Sequence, residues 1–216
     1  MNKKLRLAVL ASGGGTNLQA IIDRCREGEL DAEIVLVISN KPDAGALERA
    51  RKAGLPEVCL DHRLFSDRLA YDRALIASLR QAEAELVVLA GYMRLLSEEF
   101  LQAFPNRILN IHPALLPAFP GIRAQRQALE YGVRVAGCTV HFLDSGVDTG
   151  PIVLQAAVPV LEGDSEESLS QRILREEHRI YPQAIQLYAE GRLHIEGRRV
   201  RIAPPLAAEN HSRPGA

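Results

Sequence analysis

Apolar residues follow two rhythms along the first half of the chain. Short apolar runs recur at 7–11, 34–38, 58–60, 86–90 and 107–111. Between them the apolar positions space three and four apart. Leu18, Ile21, Ile22 and Cys25 fall at i, i+3, i+4 and i+7, and Tyr71, Leu75 and Leu79 stripe the segment 66–80, each the spacing of one helix face. Segments 44–53 and 97–103 read as shorter helices. Thr16 or Asn17 stands where the first helix needs a cap, and Gly28 and Gly54 stand where helices stop. A fully apolar run such as 86–90 suits a strand buried on both faces. Strands alternating with helices predict an α/β fold with a doubly wound, mostly parallel sheet.

The rhythm changes after residue 112. Segment 125–131 reads as a helix, and 138–143 and 152–160 as strands joined by the loop 144–151. Segments 193–195 and 200–202 flank Glu196-Gly197-Arg198 as a small hairpin. Antiparallel strands are therefore expected toward the C-terminus. Between these pairs a long helix is expected, opened by a capping box of Asp164 and Glu167. Its stripe is Leu169, Ile173, Ile180, Ala184 and Leu187, with Pro182 as the place for a bend. Residues 1–203 are expected as one domain and 204–216, rich in Pro, Ala and polar residues, as a loose tail.

Composition adds exclusions. With 47% hydrophobic and 25% charged residues the 216-residue chain sits near the globular average. A net charge of −1 supplies no global field for nucleic acid or an anionic membrane. The apolar stretch after Lys4 ends within about six residues at Ser12-Gly13, too short to span a bilayer or serve as a secretory segment. Cys25, Cys59 and Cys138 are scattered, so neither a disulfide framework nor a metal site is indicated. A reducing, cytoplasmic setting is expected.

Five polar constellations interrupt this pattern. Ser12-Gly13-Gly14-Gly15-Thr16-Asn17 links the first strand to the first helix. Exposed N–H groups at a helix start make an anion site, although a tight structural turn would look the same. The dinucleotide fingerprint fits poorly, because Leu18 holds its third glycine position and no acid follows the second strand. A monophosphate suits the loop better. In the run Ile108-Leu109-Asn110-Ile111-His112-Pro113, strand parity points Asn110 and His112 to one face. An amide can donate to an oxyanion and a histidine can move a proton near neutrality. A turn before proline with a satisfied histidine is the plain alternative. Asp148, between Gly146 and Gly150, taken alone is ordinary turn chemistry. Gly91-Tyr92-Met93-Arg94-Leu95-Leu96 has the makings of a flat apolar pocket with a guanidinium at its mouth. Glu176 and Glu177 both flank the stripe of the last long helix, and periodicity does not choose between them. His141, inside a strand run, reads as a core or supporting histidine.

Taken together, SGGGTNLQAII, LVVLAGYMRLL, ILNIHPALLPAFPG, GCTVHF, DSGVDTGPI and EEHRIYP, in this order, resemble the phosphoribosylglycinamide formyltransferase family over roughly residues 5–202. The resemblance implies a Rossmann-like formyltransferase fold. It implies transfer of a formyl group from 10-formyltetrahydrofolate, a cosubstrate, to the amine of glycinamide ribonucleotide in purine biosynthesis, without a metal. It assigns catalysis to Asn110, His112 and Asp148. It places the ribonucleotide on Gly15, Thr16, Asn17 and Glu177. It places the folate on Arg68, Met93, Arg94, Leu96, Leu143, Asp144 and Val147. Partners would be small molecules, with no nucleic acid or membrane, and a homodimer is left open. Two alternatives use the same features: a hydrolase releasing formate from the same folate, and a nucleotide-binding module without catalysis. A first strand near residue 5 leaves no room for the regulatory domain of the hydrolases, and the length and charge disfavour the related transferase acting on initiator tRNA. The module leaves Asn110, His112 and Asp148 unexplained together.

Overall fold

The computed structural model describes residues 3–205. Five strands alternate with helices in its first half: β1 (Leu5–Ala11), α1 (Thr16–Glu27), β2 (Ala32–Ser39), α2 (Gly45–Ala53), β3 (Glu57–Cys59), α3 (Arg68–Gln81), β4 (Leu86–Leu89), α4 (Glu98–Ala103) and β5 (Ile108–His112). The second half adds α5 (Ala124–Tyr131), β6 (Val135–Phe142), β7 (Ile152–Pro159), α6 (Glu166–Ala189), β8 (Leu193–Glu196) and β9 (Arg199–Ile202). One sheet holds all these strands in the order β3-β2-β1-β4-β5-β6-β7-β9-β8. β1 pairs in parallel with both β2 and β4, and β4 with β5. β6 runs antiparallel to both β5 and β7. Strand order reverses between β1 and β4, and such a switch point opens a crevice at the carboxyl ends of the strands.

The sheet is apolar on both faces because helices cover both. On β1, Leu7, Val9 and Ala11 face a core with Leu18 and Ile21 of α1 and Ile173, Ile180 and Tyr181 of α6. Ala8 and Leu10, one residue out of step, face Tyr71, Leu75 and Leu79 of α3 and Phe100 of α4. A period of two with both sides buried gives the continuous apolar runs seen in the sequence. Tyr181 is fully buried, and its hydroxyl lies 2.9 Å from the Leu89 carbonyl and 3.0 Å from that of Leu109, pinning α6 across β4 and β5. No helix among the described residues is long and apolar enough to cross a membrane.

Two caps differ from expectation. Neither Thr16 nor Asn17 caps α1; Gly15 is the cap residue, with φ 74° and no side chain to bond the first turn. A Cβ there would lie 2.7 Å from Ala46 Cα, so the close approach of α2 demands glycine. The capping box of α6 forms from Ser165 and Ser168, not Asp164 and Glu167. Asp164 is drawn away by the Arg172 guanidinium, which donates to it at 2.7 and 2.9 Å. α6 continues past Pro182 to Ala189. Of the expected tail, residues 206–216 lie outside the described residues.

Candidate active site

The antiparallel register of β5 on β6 sets Asn110 opposite His141 and His112 opposite Thr139. Directly opposed residues share a face, so these four side chains lie on one side of the sheet. Asn110 Nδ2 is 3.1 Å from His141 Nε2 and 3.5 Å from Asp148 Oδ1. His112 Nδ1 is 3.3 Å from Asp148 Oδ2, and His112 Nε2 donates to the Phe119 carbonyl at 2.8 Å. The Gly121 N–H donates to Asp148 Oδ2 at 2.7 Å. Thr139, fully buried, donates to Ala114 O at 2.7 Å and accepts from Leu116 N–H at 3.0 Å, anchoring the proline-rich turn after β5. Asp148 and Phe119, the two residues that meet His112, both have left-handed backbones, with φ of 53° and 54°. Such conformations cost energy in non-glycine residues and concentrate at functional sites.

Burial holds the His112 imidazole below the ordinary histidine pKa, and His141 adds to this. The Phe119 carbonyl and the Asp148 carboxylate pull the other way. For Asp148 burial raises the pKa, but the His141 ring, the Gly121 N–H and His112 outweigh it and keep the carboxyl below its usual range. The cluster thus pairs an easily deprotonated imidazole with a firmly ionised carboxylate, the kind of matched pair that moves protons near neutral pH.

One strand over from β4, the turn after β1 presents a helix start without a side-chain cap and without acids in its first turn. The N–H groups of that turn have no intrahelical acceptors and the helix dipole favours an anion there. Asn17 Nδ2 donates to Glu177 Oε2 at 2.7 Å, tying α1 to α6. Glu177 is buried, which pushes its carboxyl pKa up against the Asn17 hydrogen bond, whereas Glu176 pairs with Arg179 at 2.6 Å. Arg49 lies at the loop as well. Its Nε donates to Gly14 O at 2.7 Å and its Nη1 to Gln19 Oε1 at 3.2 Å. Thr16, Gln19, Arg49 and His178 line a groove of about 420 Å³ beside the loop.

Ser12 joins this loop to the next. Its hydroxyl donates to Asn40 Oδ1 at 2.6 Å and accepts from Met93 N–H at 2.9 Å. Met93 is 68% exposed. Arg94 does not stand free at a pocket mouth: its guanidinium carbon lies 5.1 Å over the Tyr71 ring, and its Nε is buried. Leu96 and Leu143 pack against the core beneath α3. Asp144 is turned into its own loop, accepting from Gly146 N–H and Thr149 Oγ1 at 3.1 and 2.6 Å, while Val147 is exposed. Arg68, the first residue of α3, is exposed and makes no ion pair among the described residues. The structure therefore brings Asn110, His112 and Asp148 into one cluster and Asn17 and Glu177 into another. Arg68 is joined to neither by a hydrogen bond among the described residues. His141's contacts and Arg49 were not singled out from sequence. Only the β5–β6 register reveals the former, and Arg49 reads as a solvated helix residue until α2 is placed against the glycine loop.

A mostly parallel sheet with a crevice at its switch point carries an open anion-ready turn and an amide–imidazole–carboxylate cluster, the fold and grouping expected of the formyl transferase class. The chain belongs to the formyl transferase family, whose model matches residues 5–185. It is similar to a glycinamide ribonucleotide transformylase structure from Symbiobacterium toebii, with 62% identity, a TM-score of 0.93, and 94% of this chain and 96% of that one covered. It is 48% identical to the phosphoribosylglycinamide formyltransferase of Escherichia coli over 88% of this chain and 89% of that protein. It is also 49% identical to the trifunctional purine biosynthetic protein adenosine-3 of Drosophila melanogaster over 88% of this chain, which spans only 14% of that longer protein.

Proposed function

We propose that this chain transfers the formyl group of 10-formyltetrahydrofolate to the amine of glycinamide ribonucleotide, giving formylglycinamide ribonucleotide and tetrahydrofolate. The observation that carries this reading is the meeting of Asn110 and His112, at the end of β5, with Asp148, which lies 3.5 Å from the first and 3.3 Å from the second. The relatives' names support the choice of substrates. In this reading residues 1–203 form the formyltransferase domain, the partners are these small molecules, and the setting is the cytoplasm.

The reaction needs few groups. The ribonucleotide amine attacks the formyl carbon and its carbonyl oxygen becomes an oxyanion. Asn110 donates an amide proton to that oxygen. The attacking nitrogen sheds a proton to the His112–Asp148 pair, whose shared edge is His112 Nδ1. The bond to the folate nitrogen then breaks as that nitrogen takes a proton from the same pair, and the formyl C=O reforms. The pair holds the extra proton, as imidazolium beside carboxylate, only between the two transfers. The phosphate lies on the N–H groups of Gly15, Thr16 and Asn17, with Glu177 holding the ribonucleotide from α6. The folate lies against Met93, Arg94, Leu96 and the 143–148 loop, with Arg68 toward its glutamate end.

The test mixes the chain with 10-formyltetrahydrofolate, with and without glycinamide ribonucleotide, and follows folate absorbance and product mass. Release of tetrahydrofolate only with the ribonucleotide, and one formyl added to it, is the expected outcome. Equal release without the ribonucleotide makes the chain a hydrolase and overturns the reading.

A further inference from the structure

His141 is buried inside β6, directly opposite Asn110. Its Nδ1 is 2.9 Å from the carbonyl of Phe142. A carbonyl only accepts, so Nδ1 carries the proton and, in the neutral ring, Nε2 presents a lone pair. That lone pair faces Asn110 at 3.1 Å. The peptide that carries the Phe142 carbonyl is itself fixed. Its N–H, on Leu143, donates to Ile108 O at 3.1 Å, and Gly150 packs so closely that a Cβ there would lie 1.8 Å from Phe142 O.

We propose that His141 is a positioning residue whose Nε2 lone pair selects the orientation of the Asn110 amide. With the amide nitrogen toward His141, one N–H is spent on the imidazole. The other points toward Asp148 Oδ1, a long hydrogen bond at 3.5 Å, which an oxyanion developing beside that carboxylate can take over. The reversed amide would set its carbonyl lone pairs against that of Nε2 and leave no donor facing the cluster. Phe142 thus sets the His141 tautomer, the tautomer sets the amide, and the amide aims a proton where an oxyanion develops. His141 Nε2 lies nearer Asn110, at 3.1 Å, than Asp148 Oδ1, at 3.7 Å and beyond hydrogen-bond distance, so Asn110 is its hydrogen-bonded partner. This inference rests on the formyl-transfer reading only for what the aimed proton does.

Two measurements test it. Nitrogen NMR on the labelled full chain, with the His141 ring assigned by loss of its signals in His141→Leu, reads the tautomer whether or not the chain is active. A proton on Nδ1 and a bare Nε2 whose shift moves in Asn110→Ala is expected. A proton on Nε2, or no response to Asn110→Ala, overturns the proposal. In the transfer assay, His141→Leu is expected to lower kcat about 10–100-fold at little changed KM, and His141→Gln, which restores an acceptor, to recover much of it. Added to Asn110→Ala, His141→Leu should cost less than threefold further, because its target is gone. An equal loss in both backgrounds would mean a merely structural role. Absence of transfer by the unmodified chain would sink the formyl-transfer reading and leave the NMR result to decide the tautomer.

Discussion

Asp148→Asn isolates charge from shape. Asparagine tolerates the left-handed backbone that Asp148 adopts at φ 53°, and its carbonyl can keep the Gly121 N–H. What disappears is the negative charge, 3.3 Å from His112 Nδ1. Two unit charges at that distance interact by about 5 kcal/mol at an effective dielectric of about 20. Partial solvent access to the carboxylate, 14% exposed, reduces this to about 3–4 kcal/mol. If the His112 cation forms only during proton transfer, this is transition-state stabilisation and kcat falls roughly 10²–10³-fold. The carboxylate also raises the His112 pKa, so the pH limb governed by His112 should move further down in the variant. Stability follows a separate sign. Asp148 is held below its ordinary pKa. Its contribution is therefore present above the unfolded carboxylate pKa and is lost as pH falls through the folded value. The gap in stability between wild type and variant should close on acidification. Steady-state kinetics from pH 5 to 9 and denaturant melts at matched pH are the assays. Turnover within threefold of wild type, with an unmoved pH profile, would refute the charge argument.

Other substitutions probe neighbouring features. Asn110→Ala is expected to lose about 10²–10³ in kcat through the missing oxyanion donor; a loss confined to KM would remove that role. Thr16→Pro deletes one N–H from the first turn of α1, where proline's own φ is helical, so the ribonucleotide KM should rise while the folate KM stays; an unchanged ribonucleotide KM takes the phosphate off that loop. Tyr181→Phe withdraws the hydroxyl shared by Leu89 and Leu109 and should cost about 1–2 kcal/mol, read as a Tm lower by roughly 2–8 °C; an unshifted Tm would mean those carbonyls are satisfied without it.

The sheet was legible because each parallel strand is apolar on both faces and each helix carries a stripe at its own period. Glycines at 28 and 54 marked helix ends as expected, with φ of 74° and 72°. Strand parity alone put Asn110 and His112 on one face. Asp148 was different: its loop has no period, and only resemblance singled it out. The choice between Glu176 and Glu177 lay beyond periodicity because both flank the stripe; contact with Asn17, 160 residues away in sequence, distinguishes them. Caps were the least legible. Asp164 has the chemistry of a cap residue, yet Arg172, about two turns into α6, competes for the same carboxylate. Arg94 reads as a free guanidinium in sequence because the Tyr71 ring beneath it comes from α3, distant in the chain from the loop that carries Arg94.

The Asn17–Glu177 contact closes the molecule like a clasp, and it has a bearing on how the site comes into being. Everything from Leu5 to His112 can emerge from a ribosome and begin to fold while α6 is still unsynthesised. The proposed ribonucleotide end of the crevice cannot, because α6, one of its walls, is made well after β5. Ribonucleotide binding should then slow amide exchange in the first and the last long helix together, joining the stability of two segments made at opposite times.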